Sequence, residues 1–457
     1  MPWPINFDVK MKISTIVYGK RKYLKVRIRK IKHFLFKKAK KVIKRFSHHN
    51  EGTINTLLIY PMLTDSEKYL DLLNRTAWAF PKKPNLKIYF PMDSNQCGAW
   101  GKIKDLKPPK YQYNYLNRDL SHIVFVDKID RNQLNQLQPD VILVHDTSLK
   151  AVKSILSKIH NVEIIDKSYY SYIEAGIWQN FFYQTFSKKE RQDFENLSKR
   201  NFLSLSERCR GKQKAYCFTT GPSFNNYTAF HYEDNSLKII CNSIVKDKEF
   251  LEYIKKPDLL VFADPAFHFG PSEYAGVFRK YVMAVIERYD CFVMVPNETV
   301  PLMITHYPKI ADRIIGMNEE KEFNFPTIDK FWVKSYNNIL IKYMLPTAST
   351  FADEIYIIGA DGRGKNENYF WKHSSLVQFD DLMDSVFHTH PSFFRDRLYS
   401  DFYKMHCKNL EEMLQYGEAR GKKYYSLMPS RIPALGKRYF KNKERSQSDQ
   451  KVFLDKE

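Results

Sequence analysis

The sequence predicts an α/β protein of two halves, each built on a mainly parallel sheet, preceded by a basic amphipathic N-terminal helix. Two observations predict the sheets. Short apolar runs recur along the chain at intervals that leave room for helices, and segments between them carry helical periodicity. Such alternation implies parallel strands covered on both faces, two Rossmann-like halves in all. A third observation predicts the N-terminal helix: charge is concentrated at the ends of the chain. Residues 1–50 carry 16 Lys or Arg against one acid, Asp8, and residues 431–457 carry eight basic and four acidic side chains. Removing these ends, of +15 and +4, from the net charge of +22 leaves +3 for the residues between. A nearly neutral body argues against a nucleic-acid groove across the folded core.

Within residues 1–50, Leu24, Ile28, Ile31, Leu35, Ala39, Val42 and Phe46 recur at steps of three and four, which places them on one helical face. Lys and Arg fill most of the remaining positions. A helix of this kind lies in the headgroup region of an anionic membrane surface, here through residues 20–46. Each basic side chain near such a surface contributes about 1 kcal/mol before screening. The same stripe would also suit packing on the protein's own body or on another subunit, and the basic face would suit nucleic acid.

The chain has 457 residues, enough for two ordinary domains. In the first half, 53–210, the expected strands are Thr56–Pro61, Leu86–Phe90, Ile123–Val126, Val141–His145 and Val162–Ile165. Tyr69–Ala79 and Lys150–Ile159 read as helices, as do Tyr169–Phe186 and Lys188–Arg210. The second half, 211–430, restarts the alternation after the basic stretch Arg208–Lys214. Its expected strands are Tyr216–Thr220, Leu237–Cys241, Leu259–Ala263, Cys291–Val295, Glu354–Ile358 and Tyr424–Leu427, with helices at Tyr274–Arg288, Asn338–Thr350 and Ser400–Arg420. The segment 431–457 is a basic tail, polar enough to be expected disordered. No run of about 18 apolar residues suggests a transmembrane helix, and the N-terminus lacks the apolar core and cleavage site of a secretory signal. The six cysteines have no CxxC spacing, so free thiols in a reducing compartment are expected and a structural zinc site is not.

Ligands of open parallel sheets bind beyond the carboxyl ends of the strands. Five polar turns fall at such ends. Thr219-Thr220-Gly221-Pro222-Ser223 offers a tight turn whose hydroxyls and amides suit a phosphate or nucleotide, or is an ordinary strand-to-helix turn. Asn242 after Cys241 can donate and accept to a sugar or base, or cap a turn. Asp264 after Ala263 suits a ribose, a metal or a backbone amide. Gly359-Ala360-Asp361-Gly362-Arg363-Gly364-Lys365 has the GxxxxGK spacing of a P-loop, but Asn366 stands where its magnesium-binding hydroxyl belongs. Phe387-His388-Thr389-His390-Pro391 reads as a loop before the last long helix, and an imidazole there could take a proton from a sugar hydroxyl.

In this order TTGPSF, IICNS, LLVFADPAFHF, EIYIIGADGR and the late His loop resemble the bacterial sialyltransferases that decorate lipooligosaccharide. They also look like the motility-associated flagellin glycosyltransferases that use nonulosonic acids. The resemblance covers roughly 215–430. It implies a CMP-linked nonulosonic acid donor, no metal cofactor, and a glycan or glycolipid acceptor. It also implies roles residue by residue. Gly221, Pro222 and Ser223 match the nucleotide loop, with Thr220 where the family has Asn. Asn242 matches the Asn of the CN pair, Asn338 falls near a donor-contacting Ser, and Gly359 and Asp361 match the GxD turn. Two family tyrosines hold the donor phosphate, and here those positions are Arg363 and Tyr369. His390 matches the catalytic base, with His388 as the nearby alternative. The implied reaction is inverting displacement at the anomeric carbon, on the cytoplasmic side of a membrane that the N-terminal helix would hold. The rival readings are an ATP-dependent phosphotransferase of the pterin pyrophosphokinase kind, to which the GPS and GxD segments are distantly similar, and a non-catalytic membrane-associated binding protein.

Overall fold

The computed structural model describes residues 53–63, 65–92, 105–126, 129, 131–145, 162–166, 174–364, 373–396 and 399–440. The expected N-terminal helix, the Lys150–Ile159 helix and Tyr369 lie outside these residues; of the expected tail 431–457, residues 431–440 are described, with a short helix Pro433–Gly436 and buried Ile432 and Leu435, and the rest lies outside. Two compact units make up the chain. The first holds the described residues up to Arg191 together with Asp264–Gly276 and Asp381–Leu398; the second holds Gln192–Ala263, Val277–Asp380 and the described residues from Tyr399 onward.

The first unit carries a five-stranded sheet. Its strands are β1 (Thr56–Tyr60), β2 (Lys87–Pro91), β3 (Ile123–Val126), β4 (Val141–Val144) and β5 (Val162–Ile164), in the order β3-β2-β1-β4-β5. Every pairing is parallel, with Leu57 against both Ile88 and Val141. Leu57, Leu58, Ile88, Val141 and Leu143 are no more than 1% exposed, and burying each such side chain contributes about 1.5–3 kcal/mol. Helix Ser66–Ala79 begins at Asp65, whose carboxylate accepts from Lys68 N at 2.9 Å. Within it, Asn74 donates to Gln112 Oε1 at 2.7 Å and accepts from Tyr115 N at 2.8 Å, so one buried amide orders the loop before β3.

The Asp264–Gly276 segment of this unit is tied in by backbone contacts. Tyr113 N donates to Pro271 O and Glu273 N to Tyr111 O, at 3.0 and 3.1 Å. A β-carbon on Gly276 would lie 2.4 Å from the Tyr113 ring, so only glycine permits that approach. Tyr274 N donates to Ser385 Oγ at 3.1 Å, which joins that segment to Asp381–Leu398.

The second unit carries an eight-stranded, all-parallel sheet. The strands are β6 (Lys214–Phe218), β7 (Leu237–Cys241), β8 (Leu259–Val261), β9 (Phe292–Pro296), β10 (Ile314–Glu320), β11 (Trp332–Lys334), β12 (Glu354–Ile358) and β13 (Lys423–Ser426). Their order is β11-β10-β9-β8-β7-β6-β12-β13. The α/β architecture with two parallel sheets is thus the one the sequence predicts. Strands β10 and β11 were not expected. β10 starts apolar but ends in Asn318-Glu319-Glu320, and β11 has only three residues. Neither makes the continuous apolar run that marks the inner strands. The expected loop at 387–391 is also different: Phe387–Thr389 closes helix Met383–Thr389, His390 is its C-terminal cap, and a short helix Pro391–Asp396 follows. No described helix is long and apolar enough to cross a membrane. The five described cysteines are unbridged, and burial pushes the thiols of Cys209, Cys217, Cys241 and Cys291 upward, Cys209 to about 12, which keeps them inert.

Candidate functional site

Strand β6 is where the second sheet changes direction. From β6 the chain adds β7 through β11 on one side, then returns to add β12 and β13 on the other. The connections therefore leave the carboxyl ends of β6 and β12 in opposite directions and open a crevice between them, the position in which parallel sheets hold ligands.

The two strand ends are knitted across this crevice. Thr219 donates to Ile358 O through both its backbone N (2.9 Å) and its hydroxyl (3.0 Å), and Gly221 N donates to Gly359 O at 2.8 Å. Gly359 has φ +82°, and a β-carbon there would lie 2.0 Å from Thr219 O. A β-carbon on Gly221 would lie 2.2 Å from Gly359 O and 2.3 Å from Asp361 Oδ2. Side chains at either position would force the loops apart. Asp361 Oδ2 accepts from Ser223 N at 2.9 Å. Burial raises the Asp361 carboxyl above its ordinary range, although the Ser223 bonds and the Arg431 charge oppose the rise.

The cleft is lined by Thr219–Gly221, Cys241, Asn242, Asn338–Leu340, Gly359–Gly362, His373, His406 and Ile432. Its enclosed space is about 60 Å³, roughly four times what one water needs, so it takes part of a ligand rather than the whole. Asn242 follows β7 with φ +49°. Its Oδ1 is buried and has no hydrogen-bond partner among the described residues, an acceptor that a ligand N–H or O–H would satisfy. Asn338 turns inward on itself, its Oδ1 accepting from Leu340 N at 3.0 Å. Asp361 is the one charged side chain in the described lining.

His373 belongs to this lining and carries no sequence signal. Its Nδ1 lies 2.9 Å from Thr220 Oγ1, and Ser374 N donates to Thr220 O at 2.7 Å. Burial lowers both His373 and His406 to about 4, so both rings are neutral at pH 7. The unfolded chain binds protons at these rings below about pH 6.5, and the folded chain does not until about pH 4. Stability is therefore fully present above pH 6.5 and is lost as the pH falls towards 4, by on the order of 3 kcal/mol per ring. Denaturant midpoints measured across that window should drop as the solution is acidified, and His406→Gln should flatten the drop.

The remaining sequence-predicted residues are placed as follows. Thr220, Gly221, Asn242, Asn338, Gly359 and Asp361 line the cleft. Pro222 opens the 3₁₀ turn Pro222–Ala229, and Ser223 within it is buried behind the lining. Arg363 follows the cleft residue Gly362, is half-buried and is not part of the described lining. Residues 361–364 form no helix, so the segment lacks a P-loop's helical start through Gly364. Asp264 belongs to the first unit. Its Oδ1 accepts from Ala266 N (2.9 Å) and Phe267 N (2.8 Å), capping its own turn, and it is not among the residues that line the cleft.

His388 and His390 also belong to the first unit, in different surroundings. His388 is exposed, stacks on Tyr111 at 4.7 Å between ring centroids, and lies 3.7 Å from Asp384. His390 is 1% exposed. Phe267 and Phe393 pack against its ring, and its Nδ1 lies 3.3 Å from Glu174 Oε2. That separation exceeds the 2.7–2.9 Å or so of a charge-assisted hydrogen bond, so the two are in contact with the bond not fully formed. Burial alone would raise the Glu174 carboxyl, but the His390 contact and the bonds from Ser392 outweigh it and hold it below the usual carboxylate range. Glu174 was not singled out in the sequence, because it sits in an aromatic stretch far from the His residues along the chain. Among the described residues no group of three or more His, Cys, Asp or Glu is gathered as for a metal ion.

No family model matches the chain, and no curated protein sequence matches it. Two solved structures are similar over part of it. One is the sialyltransferase CstII from Campylobacter jejuni in complex with a substrate analogue, cytidine-5'-monophosphate: 15% identity, 50% of this chain and 90% of that chain covered, TM-score 0.24. The other is the MAf glycosyltransferase from Magnetospirillum magneticum AMB-1: 10% identity, 78% of this chain and 62% of that chain covered, TM-score 0.23.

Proposed function

We propose that the chain is a glycosyltransferase that moves a nonulosonic acid from a CMP-activated donor to a glycan or glycolipid acceptor, with inversion and without a metal ion. The observation that carries the reading is the cleft at the direction change of the eight-stranded sheet, where Gly221 and Gly359 bring two strand ends together and the orphaned Asn242 Oδ1 awaits a donor group. A crevice so placed suits a nucleotide. The motif order from Gly221 to His390, which resembles that of the CMP-dependent family, supports CMP as that nucleotide.

In this reading the second unit's cleft holds the donor. The acceptor hydroxyl oxygen bonds to the anomeric carbon as the bond from that carbon to the phosphate oxygen breaks. His390 takes the hydroxyl proton through Nε2, and CMP leaves as a phosphate monoester. Arg363 and Tyr369 meet the charge that builds on the departing phosphate. The basic stripe of residues 20–46 holds the chain on an anionic membrane at the cytoplasmic face, where a glycolipid acceptor shares the same surface.

A thermal-shift screen of the full chain against CMP, CDP, UDP, GDP and ATP, each with and without magnesium, tests the proposal. Free CMP at a hundredfold excess over its Kd should stabilise the fold by about 2.7 kcal/mol without magnesium. Stabilisation by UDP or GDP alone would replace the donor. A response confined to ATP with magnesium would make the chain a phosphotransferase, and no response to any nucleotide would leave a non-catalytic binding protein.

A further inference from the structure

The carboxylate of Glu174 is 2% exposed and is held from several directions. Ser392 donates to it through both backbone N and Oγ, each at 3.0 Å, and the Nδ1 of His390 lies 3.3 Å from its Oε2. The Glu174 backbone is anchored as well, because Arg75 Nη1 donates to its carbonyl. Arg75 is 3% exposed and itself lies 3.9 Å from Asp71. A carboxylate removed from water is costly unless its oxygens are bonded, and here the bonds place one oxygen against one nitrogen of a buried imidazole.

The geometry points to Glu174 as the positioning residue of His390: it keeps the proton on Nδ1, leaves Nε2 free of a proton to accept one, and stabilises the ring once it is charged. The inference rests on the proposed role of His390 as base. A carboxylate behind an imidazole does three things at once. It selects the tautomer, restrains the ring, and favours the protonated ring formed as the acceptor hydroxyl loses its proton. The 3.3 Å separation is consistent with this, since catalytic hydrogen bonds often tighten only when substrate is bound. Among the described residues the other groups facing the pair are few. Phe267 and Phe393 are uncharged, Ser392 donates to Glu174, and Arg395 feels both Glu174 and Asp166 while its guanidinium is paired with Asp396 at 2.7 Å. Among the described residues Glu174 is therefore the negative charge in direct contact with the ring.

The test uses the full chain with ¹⁵N-labelled histidine, the His390 signals being assigned by their loss in His390→Gln. In the wild-type chain Nδ1 should carry the proton in the neutral ring. In Glu174→Gln, which keeps an acceptor for Ser392, the His390 titration midpoint should fall by about one pH unit or more, with both tautomers populated. An unchanged midpoint and tautomer would overturn the pairing whatever the chain transfers. The second readout is transfer from a CMP-activated nonulosonic acid. Glu174→Gln should lower kcat roughly tenfold to a hundredfold and move the acid limb of the pH–rate profile down with the NMR midpoint, and Glu174→Asp should restore part of the loss. A lowered rate with an unmoved acid limb would reduce Glu174 to a structural group. A chain that binds and turns over no donor would instead overturn the parent proposal, with the NMR result still deciding whether Glu174 sets the state of His390.

Discussion

Replacing His390 by glutamine should lower kcat for glycosyl transfer by about 10²–10⁴-fold, the contribution of a positioned general base, while the thermal shift produced by CMP stays intact. Glutamine keeps much of the volume of a ring that is 1% exposed and packed against Phe267 and Phe393, so the core of the first unit should survive. It offers no site that takes a proton near neutral pH. The measurement is initial rate at saturating donor and acceptor beside the melting temperature with and without CMP. In the proposed reading, donor binding belongs to the cleft of the second unit, whose described lining does not include His390. Loss of the CMP shift together with the rate would mean that the variant fails to fold, and loss of rate in His388→Gln with His390→Gln unaffected would transfer the role to the exposed ring.

The second large effect is structural. Gly359→Ala should destabilise the protein by about 3 kcal/mol or more and abolish stabilisation by CMP. Two costs combine. The residue has φ +82°, where a β-carbon costs roughly 1–2 kcal/mol, and that carbon would stand 2.0 Å from Thr219 O. The neighbour is backbone and cannot swing away, so relief must come from parting the ends of β6 and β12. Gly421→Ala is the control. It too has φ +80°, but nothing lies within 4 Å of the added carbon, so only the conformational cost of about 1–2 kcal/mol should appear and the CMP shift should remain. Denaturant midpoints of the two variants, each with and without CMP, separate strain from steric exclusion. Equal losses in both would show that the close approach of Gly359 to Thr219 contributes nothing.

The sheets were legible because their inner strands carry runs of apolar residues that reach both faces: Leu57–Ile59, Ile239–Cys241 and Ile355–Ile358 need no partner in view to be recognised. β10 and β11 were not, because β10 ends in polar residues where Asn318-Glu319-Glu320 pairs with Trp332-Val333-Lys334, and the edge strand β11 has only those three residues. At the site, Gly221, Asn242, Gly359 and Asp361 could be found from their places after strands, since strand order converts such positions into a common edge. His373 and Glu174 could not. What distinguishes His373 is a contact with Thr220 across 153 positions, and what distinguishes Glu174 is a contact with Ser392 across 218. Asp264 shows the converse. It stands after a strand as the cleft residues do, yet its carboxylate is used on the amides of its own turn, and position alone does not tell the two uses apart.

The sheet order also bears on how the chain is made. β6 ends up between β7 and β12, and Thr219 meets Ile358 across 139 positions. At about 5–20 residues per second, a ribosome needs many seconds after completing β6 to deliver β12. Through that interval one side of β6 can pair with nothing of its own. The nascent second unit therefore carries an open strand edge, a hazard for misassembly, until its last two strands arrive. The cleft is then completed late, so a chain interrupted before Ile358 would have most of its sheet and only part of its cleft lining.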